Sequence, residues 1–304
     1  MLFWSIIYKK GGVDLFSALF LSVLFSEAVL ITSSRAGVFD APDFTRKLNT
    51  VPVPRLGGVA FFLAFFSSLA LRAYISGAPL SHLDSALISG GGTSLLFGTL
   101  DDLHPKAPLP KLAMQLAAAL LSAIILLYDA TPLEIVLAVI YIIVLMNAYN
   151  LSDGIDGLCS GLSLSALLFL GALSLVFLNT GTAYTAILLF FSLLGFLPYN
   201  LERARMYMGD SGSQTLGLSL ALISLSLESG GIPLAPIFFA LPLLDTALSI
   251  GRRLLSGRSP FSADREHIHH RLLDTGLSHS GVCSIMVLLS ILLSILALIP
   301  FLLL

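Results

Sequence analysis

The sequence predicts an all-α membrane protein that crosses the bilayer about ten times. Hydrophobic residues make up 56% of the 304 positions and charged residues only 11%, whereas a soluble domain carries about 25% charged residues. The chain also contains long, continuous apolar stretches, and a helix needs about 20 such residues to cross the hydrocarbon layer. A net charge of −2 argues against a nucleic-acid-binding protein. No linker, repeat or low-complexity segment divides residues 1–304, which predicts a single domain.

Each apolar stretch is interpreted as a transmembrane helix, because a backbone in lipid must satisfy its own hydrogen bonds. The third stretch contains Gly90–Gly92 and few large side chains, a composition that suits close helix packing. The predicted spans are 14–31, 57–75, 83–100, 109–128, 131–149, 158–178, 182–199, 211–227, 232–251 and 281–304.

The distribution of cations predicts the orientation of these spans. Thirteen of the 16 Lys and Arg residues fall in the loops that follow the odd-numbered spans. The positive-inside rule places such loops in the cytoplasm, and therefore places both termini outside. Nine of the 13 aspartates share that side, so we expect the functional loops to be cytoplasmic.

Adjacent carboxylates follow the third predicted span, at Asp101 and Asp102. Two neighbouring charges at a membrane boundary are costly unless they meet a cation or a hydrogen-bond donor. Hard oxygen ligands of this kind suit Mg²⁺, which often bridges phosphates. A solvated helix end is the alternative interpretation.

A second polar segment, residues 147–157, follows the fifth span and contains no Lys or Arg. Its amide and carboxylate groups recur every third residue, at Asn147, Asn150, Asp153 and Asp156. Two glycines in the segment let the backbone turn and approach a ligand. Polar groups without an internal counter-charge indicate a metal or ligand site, and an Asx/Gly turn between two spans is the alternative.

Two further loops carry candidate ligand-binding groups. Asp210 opens the eighth span beside small residues whose backbone N–H groups favour anions. The alternative is that Asp210 is an N-cap and has no further role. The longest loop, 252–280, concentrates groups that suit phosphates and sugar hydroxyls. They belong to His267, His269, His270 and Arg271. A zinc site is a weaker interpretation, because no Cys lies near, and a solvated basic loop is the other alternative.

The remaining candidates rest on less specific patterns. Asp245 lies inside the ninth span, and an intramembrane carboxylate is a functional candidate unless it only pairs with a neighbouring helix. Three cations precede the second span at Arg46, Lys47 and Arg55. Prolines and glycines surround them, so structure explains that stretch nearly as well as function does.

Carboxylates for Mg²⁺ and cations for anions on one membrane face are the groups that phosphoryl transfer needs. In this order, the motifs resemble those of the polyprenyl-phosphate N-acetylhexosamine-1-phosphate transferases (glycosyltransferase family 4, of the MraY, WecA and TagO type). The matching segments lie within about residues 37–273 and comprise 54–58, 101–102, 147–158, 208–213 and 267–271. The resemblance implies ten spans, both termini outside, and a bacterial inner (plasma) membrane with a cytoplasmic active site.

The resemblance also implies a reaction and roles. A 2-acetamido sugar 1-phosphate would pass from a UDP-sugar to polyprenyl (undecaprenyl) phosphate, releasing UMP, with Mg²⁺, or alternatively Mn²⁺, held by Asp210 and Asn150. Asp101 and Asp102 would organise the metal and the attacking phosphate, with positioning favoured over proton removal because a phosphate monoester is largely ionised at pH 7. Nucleotide and diphosphate binding falls to Asn147, Asp153, Asp156, Tyr207 and Lys111. Sugar and phosphate binding falls to His267, His269, His270 and Arg271.

The motifs also separate the alternatives. Many members carry a DDxxD pattern, whereas Leu103-His104-Pro105 follows the acidic pair here, so no third carboxylate is implied. The His-Ile-His-His-Arg sequence resembles the UDP-GlcNAc branch more than the MraY branch, which uses UDP-MurNAc-pentapeptide and remains the alternative. A UbiA-type prenyltransferase needs an NDxxDxxxD motif that this chain lacks. A secondary transporter would place its polar groups near the midplane of the membrane, whereas the polar groups of this chain gather at one face. The sequence leaves the pathway and a homodimer open.

Overall fold

The computed structural model describes residues 12–40, 52–227, 235–257, 259 and 266–302, and α-helices dominate these ranges. In chain order, helices α1 to α12 span Gly12–Ala36, Gly57–Ser76, His82–Ala86, Gly92–Leu103, Pro108–Leu126, Pro132–Ser152, Leu158–Val176, Thr180–Asn200, Gly209–Leu225, Ala240–Leu255, Ile268–Asp274 and His279–Leu302. A π-helical turn, Leu87–Gly91, joins α3 to α4, and a 3₁₀ turn, Ala235–Phe239, precedes α10. Two short strands, β1 (Phe39–Asp40) and β2 (Val53–Pro54), pair antiparallel. Arg46 and Lys47 lie outside the described residues.

The prediction of an all-α, multi-pass membrane protein is confirmed. Within the described ranges seven helices, α1, α2, α5, α6, α7, α8 and α12, are long and apolar enough to cross a membrane. The other three predicted spans coincide with shorter helical segments. The π turn divides the third, while α9 has 17 residues and α10 has 16. Ten crossings and the orientation of the termini stay predictions.

Helix α9 lies at the centre of the bundle. Every residue from Ser211 to Ser224 is buried, against α6, α4 and α2 among others. Its small residues let the neighbouring backbones come close: a Cβ on Gly217 would lie 2.5 Å from the Leu145 carbonyl oxygen of α6. A helix enclosed by protein rather than lipid needs neither great length nor a uniformly apolar surface, which explains why α9 is shorter than a lipid-facing span.

The end of the bundle far from the acidic motifs is closed by a separate polar cluster around Asp84. Ser81 and Asp84 form a reciprocal capping box at the start of α3. Asp84 also accepts a hydrogen bond from the Thr185 hydroxyl at 2.8 Å and lies 3.7 Å from the Arg72 guanidinium. These contacts join α2, α3 and α8. The predicted site lies at the opposite end of the bundle, where α4 ends.

Candidate active site

The start of α9 is held by a carboxylate at the end of α4. Asp102 accepts hydrogen bonds from the backbone N–H groups of Asp210, at 2.8 Å, and Ser211, at 3.0 Å. A helix start leaves such N–H groups without partners and favours negative charge, so Asp102 caps α9 from a neighbouring helix. Gly209 makes the turn with φ +72°, and a Cβ there would lie 2.6 Å from the Asp102 carboxylate. The alternative that Asp210 is the N-cap is therefore wrong.

Asp210 instead joins a cluster with Asp101 and Lys111. The Lys111 ammonium hydrogen-bonds the Asp210 carboxylate and lies 3.3 Å from Asp101 Oδ2. The other oxygen of Asp101 accepts the Lys106 N–H at 2.7 Å. Asp101 and Asp102 are each only 8% exposed. The alternative of a solvated helix end is wrong for this pair.

The two asparagines of α6 reach towards the same cluster. The Asn147 amide nitrogen donates to Gln115 Oε1 of α5 at 3.0 Å. Asn150 Oδ1 lies 2.9 Å from the hydroxyl of Ser213, about one turn after Asp210. Asn150 thus contacts α9 about one turn after Asp210, whereas Asn147 contacts α5.

The loop after α6, residues 153–157, is called the acidic loop and is hydrogen-bonded to the segment before α9. Asp156 Oδ2 accepts the Ala204 N–H at 3.0 Å. Burial raises the pKa of the Asp153 carboxyl well above its usual value. The neighbouring carboxylates, of which Asp210 has the largest effect, raise this pKa further, and the charge of Arg55 opposes them. The carboxyl group of Asp153 therefore has the carboxylates of Asp210, Asp102 and Asp156 in its electrostatic surroundings.

Tyr207 belongs to a segment that runs beside the entry to α2. Its N–H donates to the Pro54 carbonyl, and its own carbonyl accepts from the Gly57 N–H, both at 2.9 Å. A Cβ on Gly58 would overlap the backbone of Gly212 in α9. Close packing of backbones therefore explains the glycines at the start of α2. Tyr207 is half-buried at the edge of the cluster.

The segment 267–271, called the histidine loop, packs against the acidic loop. His267 and His269 are 5% and 1% exposed, so a solvated basic loop is wrong for these two. His267 Nδ1 lies 3.0 Å from the Asp245 carboxylate, and His269 packs so closely that a Cβ on Gly154 would overlap its ring. Burial, helped by the charges of His270 and His267, lowers the pKa of His269 to about 3, so this ring is neutral at pH 7. His270 is half-buried and Arg271 is exposed on α11.

The described part of the chain holds no ready-made group of three or more His, Cys, Asp or Glu side chains that could bind a metal ion. The donor chemistry nevertheless fits Mg²⁺. Asp101 and Asp210 already share one cation, the Lys111 ammonium, and hard carboxylate and amide oxygens, here from Asp210 and Asn150, are the ligands that ion prefers.

Comparison with known proteins decides the family. A family model described as glycosyl transferase family 4 matches residues 85–228, which include Asp101, Lys111, Asn150 and Asp210. The chain is also 32% identical to a decaprenyl-phosphate N-acetylglucosaminephosphotransferase of Mycobacterium tuberculosis, over 92% of this chain and 82% of the relative. The chain belongs to glycosyl transferase family 4.

Other relatives of this family-4 protein carry similar names. It is 30% identical to an undecaprenyl-phosphate alpha-N-acetylglucosaminyl 1-phosphate transferase of Thermotoga maritima, over 82% of this chain and 78% of the relative. It is 28% identical to the enzyme of the same name from Escherichia coli K12, over 88% and 77% of the two chains. The family-4 protein is therefore an enzyme, a phosphoglycosyltransferase, and the transporter and UbiA-type alternatives are wrong.

Two glutamines that the sequence did not indicate lie beside the cluster of Asp101, Lys111 and Asp210. Gln115 on α5 donates to Gln214 Oε1 on α9 at 3.1 Å, and the pair extends the contact of Asn147. Both glutamines border a small cavity of about 10 Å³ beside Asp101 and Lys111, a space that holds about one water molecule. A polar amide within an otherwise apolar span is the signal that would have indicated them.

Asp102→Ala is expected to lower the stability of the folded family-4 enzyme, because the first N–H groups of the central helix lose their acceptor. Leaving such buried donors unpaired costs about 1–3 kcal/mol. The measurement is the thermal midpoint of unfolding in detergent. Asp274→Ala, at an exposed residue ending α11, is the control. Equal midpoints for Asp102→Ala and the wild type would contradict the capping role.

Proposed function

We propose that this enzyme transfers a 2-acetamido sugar 1-phosphate, preferably GlcNAc-1-phosphate, from a UDP-sugar to a polyprenyl phosphate and releases UMP. The observation that carries the proposal is the cluster of Asp101, Lys111 and Asp210 at one end of a membrane bundle. Phosphoryl transfer depends on positioning and on neutralising phosphate charge, and such a cluster offers both. The lipid-linked product would start a cell-envelope glycan, such as lipopolysaccharide or teichoic acid.

The proposed reaction exchanges one phosphorus–oxygen bond for another. An oxygen of the lipid phosphate forms a bond to the β-phosphorus of the UDP-sugar, and the bond from that phosphorus to the bridging oxygen breaks. UMP leaves with the electron pair. A phosphate monoester is largely ionised at pH 7, so no side chain needs to take a proton from it. We assign Asp101 the task of positioning Lys111, to which it lies at 3.3 Å, and Lys111 the task of neutralising phosphate charge.

A divalent ion completes the proposed site. Mg²⁺, or Mn²⁺ in its place, would be held by Asp210 and Asn150 and would supply charge neutralisation on the diphosphate when bound. Asp102 supports this arrangement indirectly, since its two oxygens hold the backbone of Asp210 and Ser211. Asp102 therefore orients the ligand rather than contacting the ion in the proposal.

The nucleotide and sugar are assigned to the loops around this cluster. The acidic loop with Asp153 and Asp156, together with Asn147 of α6, would shape the nucleotide pocket, and Tyr207 would stack on uracil. The histidines and Arg271 would hold the sugar and diphosphate. The close packing of His269 on Gly154 supports a shared pocket, because it brings the two loops together. The relatives' names, which specify N-acetylglucosamine, favour GlcNAc over other 2-acetamido sugars.

The orientation and setting are proposals as well. We place the site on the cytoplasmic face of the inner membrane, because 13 of the 16 cations flank that end of the predicted spans. A homodimer is included in the proposal, and sedimentation of the detergent-solubilised enzyme would test it.

A donor panel tests the reaction. Purified enzyme with undecaprenyl phosphate and Mg²⁺ is offered UDP-GlcNAc, UDP-GalNAc or UDP-MurNAc-pentapeptide, and UMP release is followed. We expect turnover with UDP-GlcNAc that disappears when the lipid is omitted or EDTA is added. Absence of UMP with every donor would overturn the proposal. Turnover with UDP-MurNAc-pentapeptide alone would assign the enzyme to the MraY type.

A further inference from the structure

Asp245 is a buried carboxylate on α10, and both of its oxygens contact the histidine loop. It is 3% exposed. One oxygen lies 3.0 Å from His267 Nδ1, and the other accepts the Ile268 N–H at 2.8 Å. Ser249, one turn further along α10, lies 3.2 Å from the same nitrogen of His267. The helix therefore holds both the ring of His267 and the backbone at the start of α11.

This contact selects the protonation pattern of the His267 ring. An ionised carboxylate accepts hydrogen bonds but does not donate them, so Nδ1 must carry its proton to bond Asp245. In a neutral imidazole only one nitrogen is protonated, and the other is then an acceptor. Asp245 thus leaves Nε2 of His267 as the nitrogen able to accept a hydrogen bond from a substrate hydroxyl.

The orientation set at Asp245 is passed to the acidic loop through a stack of imidazoles. The rings of His267 and His269 are nearly parallel, with centroids 5.6 Å apart and an interplanar angle of 5°. His269 in turn packs directly on Gly154. Contiguous packing of rigid rings ties the position of one loop to that of the other.

We propose that Asp245 is a positioning residue for the transfer reaction, acting through His267. This inference rests on the proposed function, because its catalytic effect presupposes a sugar phosphate bound between the two loops. Asp245 fixes the Nδ1-protonated form of His267 and anchors the histidine loop against the acidic loop. A carboxylate orients many metal-binding histidines in this way, and here the oriented histidine would bind substrate instead.

The sharpest test is Asp245→Asn, which changes protonation with little change in shape. The amide oxygen can still accept the Ile268 N–H, while the amide nitrogen facing His267 now donates to Nδ1 and moves the ring proton to Nε2. We expect kcat to fall about 10- to 100-fold, the range for loss of such an orienting partner, with an unchanged thermal midpoint. Asp245→Glu, which keeps a carboxylate, is expected to recover part of the loss.

A double-mutant cycle separates this role from a general structural one. If Asp245 acts through His267, Asp245→Asn has little further effect on kcat in the His267→Gln background. Fully multiplicative losses would overturn the inference. Asp84→Asn is the matched control, because Asp84 is equally buried, at 3% exposed, but lies at the other end of the bundle. Its kcat should equal that of the wild type.

A measurement independent of activity keeps the inference distinct from the proposed function. Nitrogen NMR of ¹⁵N-histidine-labelled wild-type enzyme, with the signal assigned by His267→Gln, reports which ring nitrogen carries the proton. A neutral ring protonated at Nδ1 supports the inference even if no donor is turned over, whereas an imidazolium overturns it because Nε2 could then accept no hydrogen bond. Unprotonated Nδ1 overturns it even if the enzyme is active. Failure of the donor panel alone overturns only the proposed function.

Discussion

Asp210→Ala is expected to reduce turnover by about 10³-fold or more while the protein stays folded. The change removes the proposed principal ligand of the divalent ion, and such an ion contributes several kcal/mol of charge stabilisation, with each 1.4 kcal/mol worth about tenfold in rate. It also removes one of the two carboxylates that hold the Lys111 ammonium. Initial rates of UMP release over a range of Mg²⁺ concentrations measure both effects.

The control for Asp210→Ala separates lost chemistry from lost structure. Asp102, not the side chain of Asp210, caps α9, so the thermal midpoint of Asp210→Ala should lie close to that of the wild type. Asp274→Ala, at the exposed end of α11, should keep full activity. Retention of wild-type turnover by Asp210→Ala would remove Asp210 from the reaction.

Gly98→Ala is expected to disrupt the site, although Gly98 has no side chain that could bind a ligand. Gly98 lies on α4, where this helix packs against the start of α9. A Cβ on Gly98 would lie 2.5 Å from Ser211 Cα and 2.8 Å from the Asp210 carbonyl oxygen. All of these neighbours are backbone atoms, so α4 and α9 must separate. Such overpacking costs about 1–3 kcal/mol, and a displacement of about 1 Å at reacting groups can cost 100-fold in rate.

Gly92 on the same helix provides the matched control for Gly98. A Cβ on Gly92 would meet nothing within 4 Å, and Ala is favoured over Gly inside a helix by about 0.5–1 kcal/mol. We therefore expect Gly92→Ala to have normal turnover and an equal or higher thermal midpoint. If Gly98→Ala behaves in the same way, the close contact of α4 with α9 is not needed for activity.

The structure gives the neighbouring residues Asp101 and Asp102 different contacts, which the sequence does not predict. Both residues are indicated by the same motif, and nothing local distinguishes them. Asp101 faces Lys111, whereas Asp102 accepts two backbone N–H groups of α9. Asp101 contacts Lys106 and Lys111, which follow closely in the chain, whereas the two bonds that distinguish Asp102 join residues 108 and 109 positions apart. Such contacts leave no periodic signal.

Asp245 illustrates the same limit at a single position. Its place in an apolar span made it a candidate for function or for simple pairing. The structure brings His267, 22 residues later, onto its carboxylate, so pairing is established and the inferred role follows from what the partner does. The glutamines Gln115 and Gln214 were overlooked, since a single amide in a span carries no partner information without the fold.

The fold class, the approximate positions of the helices and the family can be inferred from the amino-acid sequence alone. These follow from composition, from runs of apolar residues and from short motifs, all of which are local properties of the chain. The three-dimensional fold is needed to learn which oxygen of each aspartate accepts a hydrogen bond, that Lys111 lies between Asp101 and Asp210, and that the histidine loop contacts Gly154. Those arrangements arise from close packing of helices around α9, because side chains distant in sequence become neighbours only when the bundle forms.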